Sequence, residues 1–440
     1  MDHVMTLVLD AARLRFPAGR EPNPFVRYRT LFYSYHLALA HGLADPDYVA
    51  LVEQLDRAVV EVDGRGFVVT PFGREGALSE RLGFADAGGV WVKDETSNVS
   101  GSHKARHLMG LLIHLEVVER IGLAPPDRRT RLAIASCGNA ALAAAVVARA
   151  GGRRLEVFVP TWADPAVVAR LERLGAHLTV CGREDGVPGD PTYHRLQQAI
   201  RDGALPFTCQ GPDNGLTIEG GMTLGYEIAS ALAAQGVALD RFFVQVGGGA
   251  LASACIQGLS YAAALGGLPR MPAVYAVQTE GGYPLRRAYD RLMSSLLSRL
   301  DPAAAAQPDG VRRDQARADV VRQHAGSPIV EEALREAASH RSAFMWPWET
   351  EPKSIAQGIL DDETYDWMAV VRGMVVTGGY PVVVSEDTLK RANDLARAAT
   401  GIDVDHTGSS GLAGVLDLRR DEVVRPHDRV GVLFTGVRRA

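Results

Sequence analysis

The chain has 440 residues, 47% of them hydrophobic and 22% charged, with a formal net charge of −5 at neutral pH. That length and apolar content suffice for two or three structural units with large cores, and the scattered signs leave no basic face for nucleic acid. No apolar run approaches the roughly 18 residues of a membrane span and the N-terminus lacks a basic-then-apolar export pattern, so a cytoplasmic protein without membrane contact is expected.

Residues 1–64 read as a helical N-terminal extension, with apolar spacing over Thr30–His41 and Pro46–Val60. The segment Asp94-Glu95-Thr96-Ser97-Asn98-Val99-Ser100-Gly101-Ser102-His103-Lys104-Ala105-Arg106 follows, and Lys104 is one of only four lysines, with Lys93, Lys353 and Lys390, in a chain that otherwise uses arginine. An amine condenses with an aldehyde and a guanidinium does not, so this setting suggests a Schiff-base lysine. Most lysines are solvated surface charges, which leaves the neighbouring motifs to carry the argument.

Leu132–Ala135 reads as a short buried strand, Ser136-Cys137-Gly138-Asn139 breaks it, and Ala140–Ala150 is an Ala/Val-rich helix. A loop of this kind offers backbone N–H groups and a favourable dipole end to an anion such as a carboxylate, or is an ordinary turn capped by Asn139. Strand and helix then alternate through Leu155–Val159, Pro165–Gly175, His177–Cys181, Tyr193–Asp202, Phe207–Gln210 and Gly215–Gln235. Such alternation implies a parallel sheet covered on both faces. Phe242–Val246 is a strand, Gly247-Gly248-Gly249 a turn and Ala250–Leu265 a helix, an arrangement that looks like a phosphate cradle. Gly247–Ala252 also satisfies a loose dinucleotide-binding pattern, which keeps a nicotinamide-binding oxidoreductase as the rival reading. The stretch Ser294–Arg322 shows no apolar periodicity and reads as an exposed or mobile insertion. Met345-Trp346-Pro347-Trp348 beyond it reads as half-buried aromatics or as a lid. The four cysteines, Cys137, Cys181, Cys209 and Cys255, lack C-x-x-C spacing and are expected as reduced thiols; no metal site is expected.

In this order, Ser100-Gly101-Ser102-His103-Lys104-Ala105-Arg106, Ser136-Cys137-Gly138-Asn139 and the glycine run resemble the pyridoxal-phosphate enzymes of fold type II, the superfamily of the tryptophan synthase β-subunit, threonine synthase, threonine dehydratase, serine racemase and cysteine synthase. Asn23–Tyr28, Thr70-Pro71-Phe72, Ile218–Thr223, Pro352–Ala356, Thr377-Gly378-Gly379, Val384–Asp387, Ser409–Gly414 and Val432–Gly436 extend the likeness, most of all to threonine synthases and dehydratases, over roughly residues 65–440. The chain departs from the pattern at His103, which is the tryptophan synthase choice, at Ala250 after only three glycines, and at Gly221 in place of the usual Gln.

The resemblance implies a two-domain α/β fold with twisted, mostly parallel sheets flanked by helices: a large cofactor domain of residues 65–105 and 216–440, and a small mobile domain of residues 106–215. It implies pyridoxal 5'-phosphate as cofactor, a small amino acid as substrate and a homodimer. Lys104 would hold the cofactor as an internal aldimine and later remove the α-proton. Asn139 would face the ring hydroxyl, and Gly247, Gly248, Gly249 and Ala250 would wrap the phosphate, with a further contact from His103. Thr435 would face the pyridine nitrogen, with Ser409 or Ser410 as alternatives. Thr96, Ser136, Cys137 and Gly138 would line the substrate carboxylate. Arg106 would bind a substrate phosphate or else pair with Glu95 or Asp94. A neutral hydroxyl at the pyridine nitrogen makes loss of a β- or γ-leaving group the natural outcome, so the activity expected is an amino-acid lyase or synthase. A catalytically silent relative that binds a partner through the extension is the remaining alternative.

Overall fold

The computed structural model describes residues 10–125, 130–183, 189–305 and 311–439. The chain divides into two compact units: one of residues 5–70 and 97–227, the other mainly of residues 71–96 and 228–440. This division differs from the expected domains, because the N-terminal extension and Lys104 both belong to the unit that holds residues 106–215.

The first of these units is built on a parallel sheet of β3 (Leu132–Ala135), β4 (Leu155–Pro160), β5 (His177–Cys181) and β6 (Leu205–Pro206), ordered β5-β4-β3-β6. Leu132, Ala133, Ile134, Val157 and Val159 are fully or almost fully buried, as strands covered on both faces require. The strand expected at Phe207–Gln210 lies two residues earlier, at Leu205–Pro206, and Phe207 N donates to Ala133 O at 2.9 Å just beyond its end. In the extension, Tyr48, Leu51, Val52, Leu55 and Val59 form the buried stripe of the helix Asp45–Asp63, which packs on the helices Asn139–Ala150 and Lys104–Arg120. Gly64, at φ 79°, stops that helix in the left-handed conformation a side chain disfavours. Tyr33 N, at the start of the helix Tyr33–Ala40, donates to the buried Glu219 carboxyl group.

The other unit holds a six-stranded sheet ordered β1-β2-β10-β7-β8-β9, comprising β1 (Phe72–Arg74), β2 (Gly89–Asp94), β7 (Arg241–Gln245), β8 (Ala273–Thr279), β9 (Pro381–Val384) and β10 (Arg429–Phe434). All its pairings are parallel except that of the edge strand β1 with β2. The neighbours β7 and β10 therefore deliver the loops at their C-terminal ends to the same edge of the sheet, where ligands bind in open α/β folds.

The stretch expected as an exposed insertion is largely helical. Pro284–Leu300 and Val311–Gln323 are helices that bury Leu292, Met293, Leu296, Leu297, Ala318 and Val321, while residues 306–310 lie outside the described residues. The apolar stripe starts at Leu285, ahead of the expected segment, and within that segment Asp314 pairs with Arg286 of the helix Pro284–Leu300 at 2.8 Å. Trp346 and Trp348 are half-buried on either side of Arg287, at 4.3 and 4.4 Å from its guanidinium carbon.

The helices Lys104–Arg120 and Thr217–Gln235 cross with backbone against backbone. A Cβ on Gly220 would lie 2.1 Å from Arg106 O, and one on Gly110 2.8 Å from Gly220 Cα. We expect Gly220→Ala to destabilise the protein by about 3 kcal/mol or prevent folding, because neither backbone can yield without moving a whole helix. Thermal unfolding measures this; an unchanged Tm would mean the crossing is looser than the geometry implies.

Candidate functional site

Lys104 is the first residue of the helix Lys104–Arg120 and is partly buried. Its approach is an unusual loop: Ser100 sits at φ 57°, ψ 7°, and Asn98 Nδ2 donates to Ser102 O at 3.1 Å. Next to the lysine, His103 is almost fully buried, and its ring meets that of His107 edge-on with centroids 5.9 Å apart.

Arg106, for which a substrate phosphate and a structural carboxylate were both open, is fully buried in a structural pair. Its Nη1 donates to Glu227 Oε1 and to Thr223 Oγ1 at 3.1 Å, and its Nη2 donates to Thr70 Oγ1 at 3.2 Å and Glu227 Oε2 at 3.3 Å. Of the two carboxylates named beside it in the sequence, Asp94 takes the Thr96 amide and hydroxyl at 2.9 and 2.7 Å. Thr96 thus spends its hydroxyl on a local turn, and that bond leaves its oxygen as an acceptor.

One turn further on, His107 Nδ1 lies 2.9 Å from Thr217 O; a carbonyl only accepts, so Nδ1 carries the proton and Nε2 presents a bare lone pair. Nε2 is buried without a hydrogen-bond partner among the described residues. Burial, followed by the nearby Lys104 cation, pushes this imidazole from 6.5 down to about 3, so it stays neutral beside the lysine. Gly221, the departure noted in the sequence, makes this possible: a Cβ there would fall 2.2 Å from His107 Cε1.

In the same unit β3 leads into the 136–139 loop. Ser136 N donates to Phe158 O at 3.2 Å, Gly138 N to Ser136 Oγ at 3.4 Å, and Asn139 opens the helix Asn139–Ala150. Ser136, Cys137, Gly138 and Asn139 are all partly exposed, as ligand-facing groups at a helix start must be. All four cysteines are free thiols.

In the six-stranded unit the glycine run leaves β7 and opens the helix Ala250–Ala264 through Gly249 at φ 95°. Among the described residues, the amides of Gly247, Gly248, Gly249 and Ala250 donate to no protein acceptor. Their carbonyls are used: Thr364 Oγ1 donates to Gly247 O and Asp366 N to Gly248 O, both at 2.9 Å, which fixes the direction of the loop. Side chains would not fit, since a Cβ at Gly247, Gly248 or Gly249 would come within 2.4, 3.0 and 3.0 Å of Asp361, Tyr365 and Thr364.

Thr435 follows β10 at the same sheet edge, and Gln245 Nε2, from the end of β7, donates to Thr435 Oγ1 and Gly408 O at 2.8 Å each. Gln245 was not anticipated from the sequence; its only signal was a polar residue closing an apolar strand before the glycines. Ser409 and Ser410 are corrected as cofactor partners. Ser409 Oγ donates to Asp405 O at 3.0 Å and accepts from Asn393 Nδ2 at 2.9 Å, and Ser410 Oγ donates to His406 O at 2.7 Å, so both hydroxyls serve their own helix.

Two outcomes test these assignments. Arg106→Met should cost about 3–5 kcal/mol in urea unfolding, because it strands the buried Glu227 charge, and Glu227→Met should restore most of the loss. A raised KM with unchanged stability would instead return Arg106 to the substrate. For His107, the folded form resists protonation, so between pH 6.5 and about 3 the unfolded chain binds the extra proton and stability falls as pH falls. His107→Gln should flatten that part of the stability-pH curve; an unaltered slope refutes the buried neutral imidazole.

A sequence profile described as "Pyridoxal-phosphate dependent enzyme" matches residues 65–320. The L-serine dehydratase of Saccharomyces cerevisiae is 29% identical over 222 residues, which take in 49% of this chain and 63% of that protein, so the chain spans less than two thirds of that relative. The threonine synthase of Methanocaldococcus jannaschii is 21% identical over 369 residues, 83% of this chain and 74% of that one. Among solved structures, diaminopropionate ammonia lyase from Escherichia coli superposes with a TM-score of 0.60 at 15% identity, covering 89% of this chain and 88% of that one. A fungal L-serine ammonia-lyase from Rhizomucor miehei gives 0.58 at 18% identity, with 84% and 94% covered. These likenesses carry the mixed α/β fold. With more than half its length matched, the chain belongs to the family of pyridoxal-phosphate-dependent enzymes.

Proposed function

We propose that the protein is an amino-acid lyase or synthase that eliminates or replaces a β- or γ-leaving group, with Lys104 as the cofactor-bearing lysine and catalytic base. The observation that carries the reaction class is the Thr435–Gln245 pair, a hydroxyl and a carboxamide at the ends of β10 and β7, adjoining the glycine loop. Neither group ionises at neutral pH, so this pair would meet a pyridine nitrogen without protonating it.

The residues present fit the cofactor. Four successive amides at the start of a 15-residue helix, held open by glycines, suit a phosphate dianion. When bound, the cofactor supplies an electron sink for the pair left at the substrate Cα. The chain supplies the rest. Lys104 Nζ would hold the cofactor through its aldehyde and would take the α-proton; Asn139 would orient the ring hydroxyl, and His103 lies beside the lysine. The 136–139 loop, through the Ser136 hydroxyl, holds the substrate carboxylate, while Thr96, whose amide and hydroxyl are given to Asp94, takes no part in it. Cys137 contributes a small side chain there. His107, held neutral by burial, adds no cation beside the lysine. With the family known, the nicotinamide reading of the Gly247 loop is set aside. A homodimer, which rests on the resemblance alone, and a cytoplasmic location, which rests on the sequence pattern alone, complete the proposal.

Incubation with serine, threonine, their O-acyl and O-phospho forms and O-phosphohomoserine in deuterated water should show α-proton exchange with at least one of them. Ammonia and a keto acid then mark elimination, and a retained amine marks replacement. Lys104→Ala should abolish exchange, with a loss of several orders of magnitude in rate, while the protein stays folded. Exchange that persists in this variant moves the base elsewhere, and no exchange across the panel by the unsubstituted enzyme favours the silent relative.

A further inference from the structure

The end of the N-terminal extension's long helix grips the loop that leads into Lys104. Asp63 is the last residue of the helix Asp45–Asp63, and its side chain is only 6% exposed. Its Oδ2 accepts from Ser100 N at 2.8 Å, and its Oδ1 is held by Arg170 Nη2 at 3.3 Å. Two residues on, past the left-handed Gly64, Arg65 Nη1 donates to Ser97 O at 3.2 Å while its Nε stands 3.8 Å from Asp63 Oδ2. One helix end thus holds the loop 97–100 by an amide and by a carbonyl.

The residue gripped is the strained one. Among the described residues only Ser100 and Glu422 combine a side chain with positive φ, and Ser100 is 1% exposed. A Cβ opposes the left-handed conformation, so Ser100 keeps it only while its surroundings over-determine it. A charged acceptor aimed at its amide is such a constraint, and it is stronger than a neutral one. Four residues later the helix begins with Lys104, so the twist at Ser100 sets the direction from which the lysine arrives.

The geometry points to Asp63 as a positioning residue for Lys104: it holds Ser100 in the left-handed conformation, is itself oriented by Arg170 and Arg65, and makes the extension a working part of the catalytic loop. This rests on Lys104 being the cofactor-bearing lysine. Nothing in the family motifs marks Asp63, which lies ahead of the matched residues 65–320.

The test compares Asp63→Ala, Asp63→Asn and Asp63→Ala/Ser100→Gly with the unsubstituted protein. The first readout needs no cofactor: amide hydrogen exchange over residues 97–104. Asp63→Ala should speed it at least tenfold, and Asp63→Asn, which keeps an acceptor but loses the charge, should fall between. The second is the visible absorbance that develops as Lys104 captures added pyridoxal phosphate, together with kcat and KM of the loaded enzyme. Asp63→Ala should slow capture and lower kcat about tenfold with little change in KM. Glycine adopts positive φ unaided, so the double variant should recover most of both losses. A purely structural Asp63 would expose the helix 45–63 as well as the loop, and Ser100→Gly would rescue nothing; that result overturns the proposal. If Asp63→Ala does not fold, Asp63→Asn with and without Ser100→Gly gives the same comparison. Normal protection of residues 97–104 with no visible absorbance in the unsubstituted protein overturns the assignment of Lys104, and with it the purpose of the clamp.

Discussion

The crossing of the Lys104 and Thr217 helices is the constraint on which the lysine's placement depends. Gly110 and Gly220 let the two backbones touch, and one turn away Arg106 is tied to Glu227, Thr223 and Thr70. Taking two charges out of water is costly, and the cost is offset only where the remaining donors and acceptors are met. Here Thr70 N also donates to Glu227 Oε2, at 3.0 Å, so the carboxylate is engaged from more than one side. A pair of this kind tolerates little rotation. Because Lys104 precedes Arg106 by two residues on the same helix, fixing the guanidinium fixes the azimuth of the amine.

Local strain is the counterpart of that rigidity. A serine in the left-handed region costs on the order of 1–3 kcal/mol, and a hydrogen bond to a charged group contributes about 1.5–3 kcal/mol, so the bond from Ser100 to Asp63 is of the size needed to hold it. Two kinds of constraint therefore bracket the lysine: a strained turn before it and a buried ion pair after it. The extension supplies the first, from within the same compact unit as the lysine.

What the sequence disclosed was local. Strand β3 with its polar break at Ser136–Asn139, and β7 with its glycines, were readable because a strand, a turn and a helix start each leave their pattern within a dozen residues. Pairings over long separations left no trace: Glu227 is 121 residues from Arg106, and Thr364 is 117 from Gly247. Asp94, an acidic neighbour in sequence, was a natural guess for Arg106, yet it closes a turn on Thr96. The serines of Ser409-Ser410 looked available for a ring nitrogen until the helix His406–Arg420 used their hydroxyls on its own carbonyls. The helix Val311–Gln323 was hidden because charged residues dominate it, and its Asp314 is used on Arg286 of the helix Pro284–Leu300, a pairing the sequence does not show.

His107 and Gly221 together have a consequence for how such a site can change. The imidazole occupies the volume any side chain at 221 would fill, with Cε1, Nδ1 and Nε2 at 2.2, 2.7 and 2.7 Å from the missing Cβ. The two positions are therefore coupled by packing: in this arrangement a side chain at 221 and the imidazole at 107 compete for one volume. What either position can accept is conditional on the other, although 114 residues separate them in the chain.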